Sequence, residues 1–316
     1  MHILILGAAG MLGRKLTEAI TAGGLPATRL TLVDVVAAEP PDSIPSTVLA
    51  VNLADPGVAP RLVAERPDVI FHLAAIVSGE AEADFDKGYA VNLDASRALL
   101  EAIRALPDYH PKFVFASSLA VFGAPFPDVI PDDFHPTPLT SYGTQKAMTE
   151  LLISDYSRRG ILDGISLRLP TVCIRPGAPN RAASGFFSGI LREPLAGLPA
   201  VLPVRDTLRH WFVSPRSAIG FFLHAATLDT AAVGPRRALN MPGLSATVAD
   251  QIEALRRVAG QKAVDLIRRA PDPAIDAIVE TWAGNFDPVR ARALGFVADA
   301  SFDDIIGVYL ADDAPR

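Results

Sequence analysis

The chain of 316 residues contains one cysteine, Cys173. A single cysteine cannot form a disulfide within the chain, which excludes a disulfide-stapled scaffold and favours a reducing compartment. Cys173 lies in an apolar run typical of a strand, so we interpret it as a small buried side chain and not as a nucleophile. Because Met1 leads into an apolar strand without a basic leader, we expect no signal peptide and a cytoplasmic location.

The sequence also lacks long apolar runs and an excess of positive charge. No run approaches the roughly 18 apolar residues of a membrane span, so we expect no membrane partner. A net charge of −6 without a basic stripe argues against nucleic acid as a partner. Half of the residues are hydrophobic and a fifth are charged, which is an ordinary globular balance. No metal site is predicted.

Short apolar runs alternate with helical patterns in the first half of the chain. These strand-like runs cover residues 2–6, 30–36, 48–53, 69–73, 112–116 and 165–169. Continuous apolar strands alternating with helices indicate a parallel sheet buried on both faces, in the doubly wound α/β (Rossmann) class.

The alternation loosens after about Pro176, which predicts a second, smaller part of the chain. We assign residues 1–175 to a dinucleotide-binding domain, to which residues of about 214–243 return. We assign residues 176–213 and 244–316 to a C-terminal substrate-binding lobe over the carboxyl ends of the strands, where open α/β sheets bind ligands.

Three glycines, Gly7, Gly10 and Gly13, follow the first strand and open a helix. Glycines there permit a tight turn, and the backbone amides around Met11 and Leu12 can approach a pyrophosphate at the positive helix N-terminus. The spacing is G-x-x-G-x-x-G. A glycine-rich turn without a ligand is the alternative interpretation.

An acidic residue, Asp34, ends the second strand about twenty residues after the last glycine. A carboxylate in this place accepts hydrogen bonds from an adenosine ribose and repels a 2′-phosphate, so we predict NAD and not NADP. The alternative is a carboxylate that only caps a turn. Asn52 and Leu53, near the end of the third strand, are predicted to contact the adenine.

The fourth strand ends in His72, followed by Leu73, Ala74 and Ala75, which are expected to let the cofactor pass closely. We interpret His72 as a packed strand-end histidine without a chemical role. Asn92, in a predicted helix over residues 83–106, is assigned to the cofactor site. It could equally be a buried polar group paired with backbone.

Tyr142 and Lys146 are one helical turn apart, so they lie on one helix face. A lysine charge beside a phenol favours the phenolate and lowers its pKa, which suits proton transfer to and from an alcohol. A hydroxyl about one strand upstream, on Ser118, would accompany them. Ser117 is the neighbouring alternative.

These motifs together resemble the extended short-chain dehydrogenase/reductase family, which includes nucleotide-sugar epimerases and dehydratases. The resemblance is carried by the three glycines, Asp34, residues 72–75, the serine pair, Tyr142 with Lys146, and the tail of residues 290–296. Within that family it is similar to the D-erythronate 2-dehydrogenase branch. The segments that suggest this branch are residues 10–16, 72–80, 168–172, 175–180 and 209–211.

The resemblance implies a role for each matching residue. Tyr142 is the acid/base, Lys146 holds the cofactor ribose and lowers the pKa of Tyr142, and Ser118 binds the reacting oxygen. Ser117, Tyr142 and Lys146 also border the cofactor, and Thr171 and Val172 face its nicotinamide.

The segment Arg209 to Pro215 departs from the nucleotide-sugar pattern, because a final histidine is missing and the arginine is shifted by one position. Arg175, Arg209 and His210 instead suggest binding of a small carboxylate, since guanidinium groups match carboxylates. Ser78 is placed with them among the substrate contacts.

Three functions compete on these residues. The first is NAD-dependent oxidation of the C2 hydroxyl of a small sugar acid, with D-erythronate giving 2-dehydro-D-erythronate. The second is a nucleotide-sugar epimerase with tightly bound NAD, and the third is a non-catalytic protein on the same fold. The resemblance also implies a homodimer, formed through outward helix faces that carry Ala95, Leu99 and Leu152.

Overall fold

The computed structural model describes residues 1–177 and 184–314. By its internal contacts the chain forms two compact units. The first comprises Met1–Val121, Pro138–Arg168 and Ile219–Asn240, and the second comprises Phe122–Thr137, Leu169–Ala218 and Met241–Arg316. Of the segment 175–180 that carries part of the resemblance, residues 178–180 lie outside the described residues.

These limits differ from the predicted ones chiefly at residues 122–137, for which the sequence pattern predicts a place in the first domain. They belong to the second unit because a short strand at Ile130–Pro131 pairs with Phe286–Asp287. Pairing between positions so distant in sequence leaves no local pattern from which to predict it.

The strands are numbered in chain order. They are β1 (His2–Leu6), β2 (Arg29–Asp34), β3 (Ser46–Ala50), β4 (Val69–His72), β5 (Lys112–Ser118), β6 (Ile130–Pro131), β7 (Asp163–Leu169), β8 (Thr171–Val172), β9 (Ala200–Leu202), β10 (Arg209–Val213), β11 (Ala238–Asn240), β12 (Leu244–Thr247), β13 (Ile267–Arg269) and β14 (Phe286–Asp287).

The α-helices are numbered in the same way. They are α1 (Met11–Ala19), α2 (Val58–Val63), α3 (Ser78–Ala83), α4 (Phe85–Tyr89), α5 (Ala95–Arg104), α6 (Ser141–Arg158), α7 (Gly185–Leu195), α8 (Pro215–Thr227), α9 (Val248–Ala259), α10 (Gln261–Val264), α11 (Pro273–Glu280), α12 (Val289–Ala293) and α13 (Phe302–Asp312). Every described helix is too short or too polar to span a lipid bilayer.

The first unit is built on a parallel sheet whose seven described strands follow the order β11-β7-β5-β4-β1-β2-β3. The four residues of β4 are all buried, as expected for a strand covered on both faces. The predicted doubly wound α/β class is therefore confirmed. Chain order reverses between β1 and β4, and ligands of such sheets bind outside the carboxyl ends of the strands at this point.

The predicted helix over residues 83–106 consists of α4, a π-helical turn at Ala90–Asp94, and α5. Ala95 and Leu99 are buried in the first unit, at 5% and 3% exposure. The prediction that they lie on an outward face was therefore wrong. Leu99 packs into the core between the sheet and its helices, where Leu152 also contacts the same cluster.

The second unit contains a three-stranded sheet in which β10 pairs parallel to β8 and antiparallel to β12. Its core gathers apolar side chains from β10, α7, α9 and α13. Helix α7 follows Ser184, a residue type that commonly caps a helix N-terminus. The Ser184 side chain does not cap the helix and instead accepts a hydrogen bond from Arg175.

Candidate active site

The turn after β1 is packed so closely that only glycine fits at two of its positions. Gly7 has φ of +89°, and a Cβ there would lie 2.7 Å from the backbone nitrogen of Ala74. A Cβ on Gly13 would lie 2.1 Å from the carbonyl oxygen of Gly7. The loops that follow β1 and β4 therefore meet at the switch point of the sheet.

Gly10 is the N-cap residue of α1, and within the described part of the chain no side chain caps this helix end. Met11 and Leu12 form its first turn and are partly buried. Helix N-termini carry unpaired backbone N–H groups and a partial positive charge, so they attract phosphate. This end of α1 has the chemistry of a pyrophosphate site.

Asp34 is tied to the glycine-rich turn through one of its carboxylate oxygens, while the other binds the backbone just after Asp34 itself. Oδ2 accepts a hydrogen bond of 3.0 Å from the backbone N–H of Ala9, and Oδ1 accepts one of 2.7 Å from Val35. Two carboxylate oxygens offer about four acceptor positions, so ribose hydroxyls can also be accommodated. The contacts thus show turn capping and leave capacity for the predicted ribose contact.

The other cofactor contacts predicted from the sequence follow the carboxyl ends of β3 and β4. Asn52 is exposed just beyond β3, and its Oδ1 accepts a hydrogen bond from the backbone of Ala54. Leu53 is partly buried against the core. Leu73, Ala74 and Ala75 follow β4 and are partly buried.

His72 is buried at the end of β4 with its Nε2 2.9 Å from Ser96 Oγ. Burial, with a smaller contribution from the charge of Lys146, lowers the pKa of His72 to about 3. The rings of Phe113 and Phe115 meet it edge-on. His72 is therefore a neutral packing residue.

Asn92 is buried in the π-helical turn, where its amide holds the loop after β4. Oδ1 accepts from Ile76 N at 2.8 Å, and Nδ2 donates to the carbonyl of Ile76 and, at 2.7 Å, to Gln145 Oε1. Gln145 lies on α6 beside Lys146. Asn92 thus joins the loop after β4 to α6 by backbone and side-chain pairing.

The two serines at the end of β5 have different partners. Ser117 is buried, and its hydroxyl donates to a carboxylate oxygen of Glu150. Ser118 is partly buried, and its Oγ accepts from the backbone N–H of Ala120 at 3.1 Å. The hydroxyl proton of Ser117 is committed to Glu150, so these contacts favour Ser118 for binding a reacting oxygen.

Helix α6 holds Tyr142 and Lys146 close to the end of β5. The Thr140 side chain caps the helix by accepting from Gly143 N at 3.1 Å. A Cβ on Gly143 would lie 2.0 Å from the carbonyl oxygen of Ala120, so the start of α6 touches the turn after Ser118. Lys146 Nζ lies 5.7 Å from the centre of the Tyr142 ring.

Lys146 is buried to 2% exposure. Its ammonium donates to the Ala116 carbonyl at 2.8 Å and lies 4.5 Å from the Phe115 ring centre. Burial lowers the pKa of Lys146 to about 7, and the Glu150 charge opposes this shift. Lys146 can therefore lose its charge near neutral pH.

Glu150, Arg168 and Gln145 belong to this region but were not predicted from the sequence. Glu150 and Arg168 form a buried ion pair at 2.8 Å, next to Ser117. The spacing of four between Lys146 and Glu150 was a signal that could have revealed Glu150. The pairing with Arg168 on β7 depends on strand order and has no local sequence signal.

In the second unit, Thr171 and His210 are hydrogen-bonded, with Thr171 Oγ1 2.7 Å from His210 Nε2. His210 is buried and stacks on the Phe187 ring, at 5.0 Å between ring centres. Burial, helped by the Arg175 charge, lowers the pKa of His210 to about 3. His210 is therefore neutral, and it cannot supply a charge to a carboxylate. Val172 is buried next to Thr171.

The three residues grouped as a carboxylate site do not all come together. Arg175 donates to the Val172 carbonyl at 3.0 Å and to Ser184 Oγ at 2.9 Å. Arg209 is exposed and donates to Ser245 Oγ at 3.3 Å. Successive residues of a strand point to opposite faces, so Arg209 and His210 of β10 diverge.

Ser78, the remaining predicted substrate contact, lies in the first unit as the first residue of α3. Its side chain is partly buried.

The fold and these residues define a doubly wound, nucleotide-dependent class of enzyme. The model of the NAD dependent epimerase/dehydratase family matches residues 3–212. The chain belongs to this family, as the sequence resemblance predicted.

Two curated relatives match nearly end to end. D-erythronate dehydrogenase from Cupriavidus necator is 47% identical over 320 residues, covering 99% of this chain and 98% of the relative. D-erythronate dehydrogenase from Haemophilus influenzae is 43% identical over 317 residues, covering 99% of this chain and all of the relative.

A solved structure shares the fold in detail. It is described as a nucleoside-diphosphate-sugar epimerase from Agrobacterium tumefaciens, with 61% sequence identity and a TM-score of 0.97. The alignment covers 99% of this chain and 94% of that one. The names of the similar proteins thus represent both of the enzymatic functions considered from the sequence.

Proposed function

We propose that the chain oxidises the C2 hydroxyl of a small sugar acid with NAD, converting D-erythronate to 2-dehydro-D-erythronate. The observation that carries this proposal is the near full-length similarity to two dehydrogenases named for D-erythronate. The arrangement of Ser118, Tyr142 and Lys146 supplies the chemistry that such an oxidation needs.

The residues at the switch point fit NAD. The close approach at Gly7 and Gly13 leaves no room for a Cβ, and the N-terminus of α1, whose N-cap residue is a glycine without a capping side chain, offers the backbone N–H groups that a pyrophosphate requires. Gly10, Met11 and Leu12 would hold the pyrophosphate, and Asp34 the adenosine ribose. When bound, NAD supplies the acceptor for a hydride, because the hydrogen leaves C2 together with its bonding electron pair.

Tyr142 is the proposed base that takes the proton of the C2 hydroxyl, and Ser118 orients that oxygen through its hydroxyl. Lys146 lies within reach of the Tyr142 ring and, when charged, favours the phenolate. Holding the C2 hydroxyl in a fixed orientation between Tyr142 and Ser118 contributes part of the rate enhancement.

For the carboxylate of the substrate we propose Arg175, a partly buried guanidinium on the segment after β8. Arg209 is the second proposal, and its exposed side chain is bound to Ser245. Ser78, Thr171, Val172 and His210 stay predictions as ligand contacts, with His210 limited to hydrogen bonding by its burial. A cytoplasmic homodimer also stays a prediction.

The alternative is a nucleotide-sugar epimerase with tightly bound NAD, favoured by the name of the Agrobacterium tumefaciens structure. The residues after Ser118 are Leu119 and Ala120, so the acidic residue that a dehydratase would need next to the serine is missing. The sequence from Arg209 to Pro215 also departs from the diphosphate-binding pattern.

The two functions differ in whether NAD is consumed. Purified protein is mixed with excess NAD and a panel of four-carbon sugar acids, and NADH absorbance is followed. Multiple-turnover NADH formation with D-erythronate supports the dehydrogenase. Absence of NADH with every acid, together with tightly co-purifying NAD, contradicts it and favours the epimerase.

Tyr142→Phe tests the acid/base role. We expect turnover to be lost while NAD binding is nearly unchanged, because the variant lacks only the phenolic oxygen. Retained turnover would refute the assignment. Ser118→Ala and Ser117→Ala form a matched pair, and Ser118→Ala should cause the larger loss of kcat.

A further inference from the structure

A buried ion pair lies next to the residues proposed for catalysis. Arg168 Nη2 donates to Glu150 Oε2 at 2.8 Å, and its Nε lies 3.0 and 3.1 Å from the two carboxylate oxygens. Glu150 also accepts from the Ser117 hydroxyl, and Arg168 Nη1 donates to Asn240 Oδ1 at 3.2 Å. Both charged side chains are almost fully buried, at 9% and 3% exposure.

This pair holds the end of β5 against α6. Lys146 binds the Ala116 carbonyl, and Glu150, one turn further along the same helix, binds the hydroxyl of Ser117. Two successive strand residues are thus held by two successive helical turns. The next strand residue is Ser118, so its position depends on these two contacts.

Within residues 1–177 and 184–314, few other charges surround Lys146. On its own helix the neighbours are Tyr142 and Glu150, and from β4 it meets His72, which burial keeps neutral. Arg168 approaches Glu150 from β7. At the helix start, Glu82 of α3 accepts from the backbone N–H of Ser141. Glu150 is the acidic group that opposes the loss of charge on the buried lysine.

We propose that Glu150, held by Arg168, is a positioning residue of the reaction, which keeps Lys146 charged and fixes the strand end that bears Ser118. This inference rests on the proposed function, because Lys146 and Ser118 have their roles in that reaction. The buried pair acts through its electrostatic effect on the lysine. Buried ion pairs as such add little to stability.

The proposal predicts opposite effects for the two halves of the pair. Glu150→Gln removes the anion one turn from Lys146, so the lysine loses its proton more easily. Arg168→Gln leaves the Glu150 charge uncompensated, so the lysine holds its proton more firmly. A purely structural pair would instead give two variants with the same defect.

The charge of Lys146 can be measured without turnover. The chain has five lysines, so protein labelled at lysine Cε gives a simple NMR spectrum, in which Lys146→Met assigns the signal. We expect R168Q to have the highest titration midpoint, followed by wild type, then E150Q/R168Q, and E150Q to have the lowest. Neighbouring midpoints should differ by at least about half a pH unit, as expected when a buried charge near the lysine is removed.

The surface pair of Arg29 and Glu65, at 2.9 Å, provides the matched control. Glu65→Gln should leave the Lys146 titration unchanged. If R168Q does not fold, E150Q and the double variant still test the proposal, because the Lys146 midpoint of the double variant must lie above that of E150Q. Equal midpoints in wild type and E150Q, or midpoints of both single variants displaced in one direction, would overturn the proposal.

The pH profile of kcat/KM with NAD and D-erythronate is the second readout. The part of this profile that is set by the protonation of Lys146 should shift along the pH axis in each variant, in the direction of the NMR midpoint. At a pH above the midpoint, lowering the lysine pKa by one reduces the protonated fraction about tenfold. Wild-type protein without turnover would refute the proposed function while the NMR titration still tests the role of Glu150. A profile unmoved by E150Q would overturn the positioning role itself.

Discussion

Substitution of Gly143 tests whether the closeness of α6 to the turn after Ser118 controls turnover. In Gly143→Ala, the new Cβ would lie 2.0 Å from the Ala120 carbonyl oxygen and 2.9 Å from its carbon. Contacts of a Cβ below 3.0 Å are essentially never seen, so the helix start and the turn must separate by about 1 Å. Neither side of this contact is a flexible side chain.

Tyr142 immediately precedes Gly143 and Ser118 is two residues before Ala120, so the separation moves the proposed base away from the serine. A misplacement of about 1 Å can lower a rate on the order of a hundredfold, and we expect kcat to fall by that factor. NAD affinity should change much less, because the glycine-rich turn follows β1 and Asp34 ends β2, and neither belongs to this contact.

The assay is steady-state NADH formation with D-erythronate, combined with NAD binding by fluorescence. Gly220→Ala is the control, because Gly220 also lies in a helix but has nothing within 4 Å of an added Cβ. It should keep full activity and gain up to about 1 kcal/mol of stability. A kcat of Gly143→Ala within a few-fold of wild type would refute the reasoning.

Three further predictions concern the cofactor turn and the buried histidines. Asp34→Asn should weaken NAD binding about tenfold, which is the effect of losing one charge-assisted hydrogen bond, and Asp34→Arg should admit NADP. An unchanged NAD affinity in titrations would leave Asp34 only the turn-capping role. Gly13→Ala should lower the free energy of unfolding by about 1–3 kcal/mol, because its Cβ would meet the Gly7 carbonyl at 2.1 Å; unaltered urea unfolding would contradict this. His72 and His210 have their pKa lowered to about 3, so the unfolded chain binds protons below pH 6.5 that the folded chain does not. Stability is complete above pH 6.5 and is lost as the pH falls towards 3, by about 2 kcal/mol per histidine at pH 5. His210→Gln should remove about that much of the difference between urea unfolding at pH 7.5 and pH 5, and an equal pH dependence in both proteins would disprove the assignment.

Much of the first unit was predictable because its signals are local. Residues 3–6, for example, are apolar at every position, as a strand covered on both faces requires. The spacing of Tyr142 and Lys146 corresponds to one helical turn, and α6 does place both near the end of β5. Strand β10 was not predicted, because its five residues alternate poorly and pair with strands far away in sequence.

By itself, the sequence determined the doubly wound class, the glycine-rich turn and the four-residue spacing of the phenol and the ammonium. These follow from strand burial, backbone sterics and helix periodicity, which act over a few residues. Only the tertiary structure decided that Ser117 is bound to Glu150, that Arg209 and His210 diverge, and that Ala95 and Leu99 are buried. Such outcomes depend on which faces pack together and on which distant charge, such as Arg168, arrives beside a buried carboxylate.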